Sequence, residues 1–155
     1  MTYNIFISYS TKDLEEAKKI KDLISQIPDA RSFLAETNLL VGSLSQSIIT
    51  AIQECDLFVV LHSRNSQDSS YVQQEIGAAR MSNKLIIPIL LDPGARPEAM
   101  IQENGYLAFY DPTKKHEEMM KLYNYILKNS KQKANNQVIL GLAVLFVLAG
   151  IASRK

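Results

Sequence analysis

Three nearly continuous apolar runs mark the chain, at residues 4–9 (NIFISY), 56–62 (DLFVVLH) and 84–91 (KLIIPILL). They are rich in β-branched and aromatic residues, and their apolar positions do not alternate with polar ones. This pattern is typical of strands that are covered on both faces. Weaker runs at 32–35 and 106–110 complete a set of five predicted strands.

Amphipathic stretches separate the predicted strands, with apolar residues recurring every three or four positions. Helices are expected after Ser10, from Ser43, from near Ser70, and from about 115 to 131. Strands and helices therefore alternate along the chain. With right-handed crossovers, this order predicts an α/β, flavodoxin-like fold: a five-stranded parallel sheet of order 2-1-3-4-5 with helices on both faces.

The C-terminal region has a different pattern. Residues 138–152 (VILGLAVLFVLAGIA) include no charged or strongly polar side chain. Fifteen helical residues span ~22 Å, less than a ~30 Å hydrocarbon core, but the flanking Lys133 and Arg154 could extend to the two interfaces. We predict a domain at 1–130, a polar linker at 131–137 and a hydrophobic helix at 138–153.

The hydrophobic helix is interpreted as a membrane anchor. Lysines are more numerous before it than after it, which predicts a tail-anchored protein with the folded domain on the cytoplasmic side. The alternative is a helix that packs on the domain or on a neighbouring copy, which would give a cytoplasmic protein.

Composition excludes some functions. The chain has 155 residues, with 17 Lys and Arg against 16 Asp and Glu, so it lacks the basic excess expected of a nucleic-acid binder. The single cysteine, Cys55, lies between apolar neighbours and is expected to be buried. The two histidines, His62 and His116, are far apart in sequence, and no metal site is expected.

Polar residues follow the first three predicted strands. In an open parallel sheet, ligands bind beyond the carboxyl ends of the strands, near the point where strand order reverses. These loops contain no glycine-rich phosphate loop, no paired acids and no nucleophile elbow. The candidates for a crevice there are Ser10, Lys12, Glu36, Ser43, Ser66, Tyr71 and Glu75.

Three segments, NIFISYSTKD, SFLAETNLLVGSLSQSIITAIQECD and SSYVQQE, occur in that order and are followed by KLIIPILLD. Together they resemble a Toll/interleukin-1 receptor (TIR) domain, and the resemblance extends over about residues 3–127. Members of this family include adaptors that assemble through the loop after the second strand. Others, including many prokaryotic defence proteins, cleave NAD+ between ribose and nicotinamide.

The resemblance to the prokaryotic NAD-cleaving type implies roles for particular residues. Glu75 corresponds to the glutamate that the enzymes require, and Tyr71 to the aromatic residue four positions before it. Ser10 stands where the enzymes often carry a basic residue, with Lys12 close by. NAD+ would be the substrate, with no separate cofactor, and the substrate-binding candidates are Tyr9, Ser10, Lys12, Glu36, Ser66 and Tyr71.

A lone carboxylate is chemically sufficient for this reaction. Nicotinamide leaves a cationic parent as a neutral molecule and needs no acid, while positive charge moves onto the ribose ring. A fixed anion that accepts hydrogen bonds from the ribose hydroxyls therefore favours the transition state. Without the resemblance, Glu75 would be read as a solvent-facing helix acid.

Two alternatives to an enzyme remain open. A non-catalytic interaction module would self-associate through a loop formed by Leu39, Leu40, Val41 and Gly42, whose apolar residues form a patch if they are exposed. These side chains could equally pack beneath the second helix. Self-association could also activate an enzyme, so the two functions can share this loop. A nucleotide-binding sensor without turnover is the third interpretation.

Overall fold

The computed structural model describes residues 1–35, 44–95 and 105–135. Within these ranges all strand pairings are parallel and the strand order is β2-β1-β3-β4-β5. The predicted fold class and strand order are confirmed. The elements are β1 (Tyr3–Ser8), α1 (Leu14–Ser25), β2 (Ala30–Leu34), α2 (Gln46–Glu54), β3 (Leu57–His62), α3 (Arg64–Gln67), α4 (Ser70–Met81), β4 (Ile86–Leu90), β5 (Leu107–Ala108) and α5 (Lys115–Ala134).

The sheet separates two apolar clusters, and β1 contributes to both. Ile5 and Ile7 belong to the cluster covered by α1 and α5, whereas Phe6 belongs to the cluster covered by α2 and α4. Successive side chains of a strand point to opposite faces. The last residue of β1, Ser8, therefore faces α2 and α4, and the next residue, Tyr9, lies on the α1 side.

Helix starts are set by serine caps. α4 begins at Ser70, as predicted, and the Ser69 hydroxyl accepts a hydrogen bond from Val72 N at 3.3 Å. α2 begins at Gln46 rather than at Ser43, because the Ser45 hydroxyl caps it. Several serines precede this helix, and each has the same capping chemistry, so the predicted start was wrong.

The short helix α3 was not predicted. Its four residues are fewer than one apolar repeat, so periodicity could not reveal it. A reciprocal capping box between Ser63 and Ser66 holds it at the end of β3.

The C-terminal region differs from the prediction of a membrane anchor. α5 ends at Ala134, slightly beyond its predicted end at about 131. The described ranges contain no helix whose length and apolar character would let it cross a bilayer, and the predicted membrane localisation is withdrawn. α5 has 20 residues, but it carries Glu117 and Glu118 in its first turn and Lys131 and Lys133 in its last turn. The predicted hydrophobic helix, 138–153, lies outside the described residues.

Candidate active site

The Glu75 carboxyl lies inside the protein, beside the end of β1. Glu75 is 1% exposed and shares the buried face of α4 with Val72, Ile76 and Ala79. The Ser8 hydroxyl donates a hydrogen bond of 2.8 Å to Glu75 Oε1. Glu75 is therefore a buried group held against the sheet. It is not the solvent-facing helix acid that the sequence would suggest without the family resemblance.

Burial controls the protonation of this carboxyl. It raises the pKa of Glu75 from its ordinary value of 4.5 to about 7, because the charged form loses its hydration. The hydrogen bond from Ser8 acts in the opposite direction, since it stabilises the anion. Near neutral pH the protonated and ionised forms of Glu75 are therefore both populated.

A second acid joins the loops that follow β1 and β3. Asp13 Oδ2 accepts a hydrogen bond from the Ser63 hydroxyl at 2.5 Å, and its Oδ1 accepts one from Asn65 Nδ2 at 3.1 Å. These strands are neighbours in the sheet and flank the point where strand order reverses. Asp13 therefore holds the two loops together at the carboxyl edge of the sheet.

A cavity of about 770 Å³ opens at the carboxyl ends of β1 and β2, between α1 and α2. Glu75 is not part of its described lining, so the cavity and the buried acid are separate features. Both lie at the end of β1, where the Ser8 hydroxyl contacts Glu75 and the next residue, Tyr9, lines the cavity from the opposite face of the strand. The described lining residues are Tyr9, Thr11, Leu14, Lys18, Lys21, Ser32, Phe33, Leu34, Ser45, Ser47 and Ile48.

The predicted substrate-binding residues near β1 and α4 occupy different environments. Tyr9 is buried and lines the cavity. Ser10 is also buried, and its hydroxyl accepts a hydrogen bond from Lys12 N at 3.3 Å. Lys12 is exposed, and Tyr71 is half-buried one helical turn before Glu75. The structure thus gathers these four at the same edge of the sheet as the acid.

The remaining predicted residues are less directly connected to the acid. Ser66 is fully buried, and its hydroxyl donates to Ser63 O at 3.0 Å and accepts from Ser63 N at 2.8 Å. That hydroxyl is used within the capping box of α3. Glu36, Ser43 and the loop residues Leu39, Leu40, Val41 and Gly42 lie outside the described residues.

Ser8 is the site residue that the sequence reading missed. The available signal was a small polar side chain at the end of an otherwise apolar strand, on the same face as Phe6. Its partner lies 67 positions away in the chain, and no local pattern indicates which helix residue meets it.

Cys55 and His62 are both buried in the folded protein. Cys55 is a free, buried cysteine, as predicted, and burial raises the pKa of its thiol to about 11. His62 is buried at the end of β3, with its Nε2 3.3 Å from Gln67 Nε2. Across the part of the chain that the structure describes, no three His, Cys, Asp or Glu side chains are grouped as a metal site would require.

The pattern of the TIR domain family matches residues 5–123. The chain belongs to the TIR domain family. The match extends from β1 into α5 and includes the buried acid, its serine partner and the cavity. A search of curated proteins found no match.

Solved structures resemble this TIR domain at low sequence identity. The TIR domain of the Toll-related receptor TRR-2 from Hydra magnipapillata is 21% identical, with a TM-score of 0.62 over 81% of this chain and 98% of the Hydra chain. The CMP N-glycosidase BcmB from Clostridium botulinum is 22% identical, with a TM-score of 0.52 over 79% of this chain and 98% of its own. At these identities the similarity establishes the shared fold.

Proposed function

We propose that this TIR domain is a NAD+ glycohydrolase that cleaves the bond between nicotinamide and ribose. The observation that supports this proposal best is the buried Glu75 carboxyl, held by Ser8 at the carboxyl edge of a parallel sheet. Burying a carboxylate is unfavourable, so it destabilises the folded protein when it is charged. Acids that are buried in this way are concentrated at functional sites. The fold shared with an N-glycosidase is compatible with this chemistry.

The reaction breaks the bond between C1′ of ribose and N1 of nicotinamide. The bonding electron pair moves to the ring nitrogen, so the pyridinium becomes neutral nicotinamide, and C1′ takes on positive charge. Ionised Glu75 lowers the free energy of that cation, and the low local polarity strengthens the attraction. Water then adds to C1′ and loses a proton to solvent, giving ADP-ribose. An internal hydroxyl or another acceptor in place of water would give a cyclic or conjugated product.

The two oxygens of Glu75 have separate tasks in this scheme. Oε1 is oriented by the Ser8 hydroxyl at 2.8 Å. We assign Oε2 to accept hydrogen bonds from the ribose hydroxyls, which fixes the sugar beside the charge. Tyr71, one turn before Glu75, offers a flat surface for a ring of the substrate.

The deciding experiment is to incubate the full chain with NAD+ and quantify nicotinamide. Glu75→Gln removes the charge but keeps an oxygen that can accept from Ser8, so folding is expected to be retained. We expect the rate to fall about a thousandfold, the scale seen when one electrostatic group is removed from a transition state. We also propose that self-association activates the enzyme, so the assay is run across a wide range of protein concentrations.

The matched control is Glu54→Gln, which makes the same chemical change at an exposed helix acid. It should retain the wild-type rate. If Glu75→Gln still releases nicotinamide at the wild-type rate, the catalytic role proposed for Glu75 is wrong. Absence of release at every protein concentration would favour the interaction module over the enzyme.

A further inference from the structure

We infer that the cavity between α1 and α2 binds the phosphates of the substrate and that Lys18 and Lys21 are the cations that hold them. This inference rests on the proposed function for the identity of the nucleotide. It assigns a task to a part of the molecule that the buried acid does not reach.

The charge of the described lining has one sign. Lys18 and Lys21 line the cavity, and none of its described residues is acidic. The two lysines are three positions apart on α1, so they project from the same side of the helix. The Lys18 ammonium is 3.8 Å from Glu15 in a largely exposed pair, which leaves donors for another anion. The site therefore favours a ligand with negative charge.

Neutral donors surround the same space. Ser32, Ser45 and Ser47 also line the cavity, and the hydroxyls of the last two are 3.0 Å apart. Hydroxyl and ammonium groups together are the donors that phosphate oxygens use in proteins. A carboxylate ligand has fewer acceptor oxygens than a pyrophosphate. The donor set therefore fits a phosphate-bearing ligand better than a simple acid.

Size and position agree with a dinucleotide. The volume of about 770 Å³ lies in the range of sites that hold cofactor-sized molecules, about 300–1,000 Å³. Tyr9 lines the cavity and directly follows Ser8, the partner of Glu75. A substrate with its ribose beside Glu75 can therefore extend over the end of β1 and place its pyrophosphate near the lysines.

The test is calorimetric binding of ADP-ribose to the full chain. ADP-ribose keeps both phosphates and lacks nicotinamide, so binding is read without turnover. The double variant Lys18→Gln with Lys21→Gln is expected to bind ADP-ribose about tenfold more weakly, the scale for two partly exposed charge-assisted contacts. Adenosine, which has no phosphate, is the second probe and should bind the double variant and wild type equally.

Lys19→Gln is the matched control, because Lys19 lies between the two lysines on α1, pairs with Glu16 at 3.2 Å and is not in the described lining. It should bind ADP-ribose as wild type does. Equal ADP-ribose affinity for the double variant and wild type would overturn the inference, as would an equal loss in Lys19→Gln or an equal loss for adenosine.

The outcomes also separate this inference from the proposed function. ADP-ribose binding that depends on the two lysines, without nicotinamide release, would support the phosphate site and contradict the proposed enzymatic activity. Nicotinamide release with an unchanged KM for NAD+ in the double variant would support the enzymatic activity and contradict the phosphate site.

Discussion

The two ends of the sheet each hold an acid that is at least partly buried, and the two acids are compensated differently. At the amino end, Asp56 Oδ2 accepts hydrogen bonds from Lys133 Nζ and from Asn4 N, both at 2.7 Å. At the carboxyl end, Glu75 is more deeply buried and accepts a hydrogen bond from the neutral hydroxyl of Ser8. Among the residues that the structure describes, Asp56 is paired with a cation and a backbone donor, whereas Glu75 is paired with a serine.

The difference indicates separate purposes. A paired acid secures structure: Asp56 joins the starts of β1 and β3 to the last turn of α5. A buried acid without a cationic partner reduces stability when it is charged. Such an acid can instead stabilise a positive charge on a bound substrate. In the proposed reaction, that charge is the ribose cation.

The largest expected effect on stability is a gain on neutralising Glu75. Its pKa is 4.5 in the unfolded chain and about 7 in the folded protein. The folded protein thus holds the proton more tightly, and its free energy of unfolding falls as pH rises from 4.5 through 7. Glu75→Gln removes this loss, so at pH 8 the variant should be more stable than wild type by about 3 kcal/mol.

Urea denaturation from pH 5 to pH 8 (roughly spanning the titration of Glu75) measures this gain. Wild type should lose stability across the range, Glu75→Gln should lose less, and the exposed control Glu54→Gln should follow wild type. Parallel curves for wild type and Glu75→Gln would show that burial of this acid costs nothing.

The opposite sign is expected at the amino end. Lys133→Met removes the cation from Asp56 and leaves the carboxylate with its backbone donor. Because both side chains are about three-quarters buried, we expect a loss of about 1–2 kcal/mol, between the values for exposed and buried pairs. Lys131→Met, an exposed lysine near the same end of α5, is the control in the same urea experiment. An equal loss of stability in Lys133→Met and Lys131→Met would show that the Asp56–Lys133 pair makes no specific contribution.

The smallest expected effect concerns Ser8. Ser8→Ala removes a donor that favours ionised Glu75, so the pKa of Glu75 should rise further, by about one pH unit for a hydrogen bond to a charged group. The acid limb of the pH–rate profile should move upward by the same amount. Carbon-13 NMR of the carboxyl group gives the pKa without relying on turnover. Ser70→Ala, at an exposed position on α4, should change neither measurement.

Local pattern was sufficient for much of the architecture. The apolar runs predicted the five strands, and their alternation with helices predicted the parallel order. The start of α4 at Ser70 followed from a capping serine before an apolar repeat. The start of α2 was wrong because neighbouring serines offer equivalent caps, and α3 was missed because it is shorter than one repeat.

The candidate site was only partly accessible to the same reasoning. Family resemblance indicated Glu75 and Tyr71, and both are at the predicted edge of the sheet. The helical repeat alone would have allowed Glu75 to face solvent, because Val72 and Ile76 account for the apolar face. That it lies buried against Ser8 depends on how closely α4 approaches β1, which is a property of the packed sheet.

The amino-acid sequence by itself determined the kinds of elements and their order, because strand and helix preferences depend on residues within a few positions of one another. Only the tertiary structure decided which polar groups meet. Ser8 and Glu75 are 67 positions apart, and Asp56 and Lys133 are 77 positions apart. Such contacts depend on strand order, register and helix packing together, so the compensation of each acid becomes visible only in the folded chain.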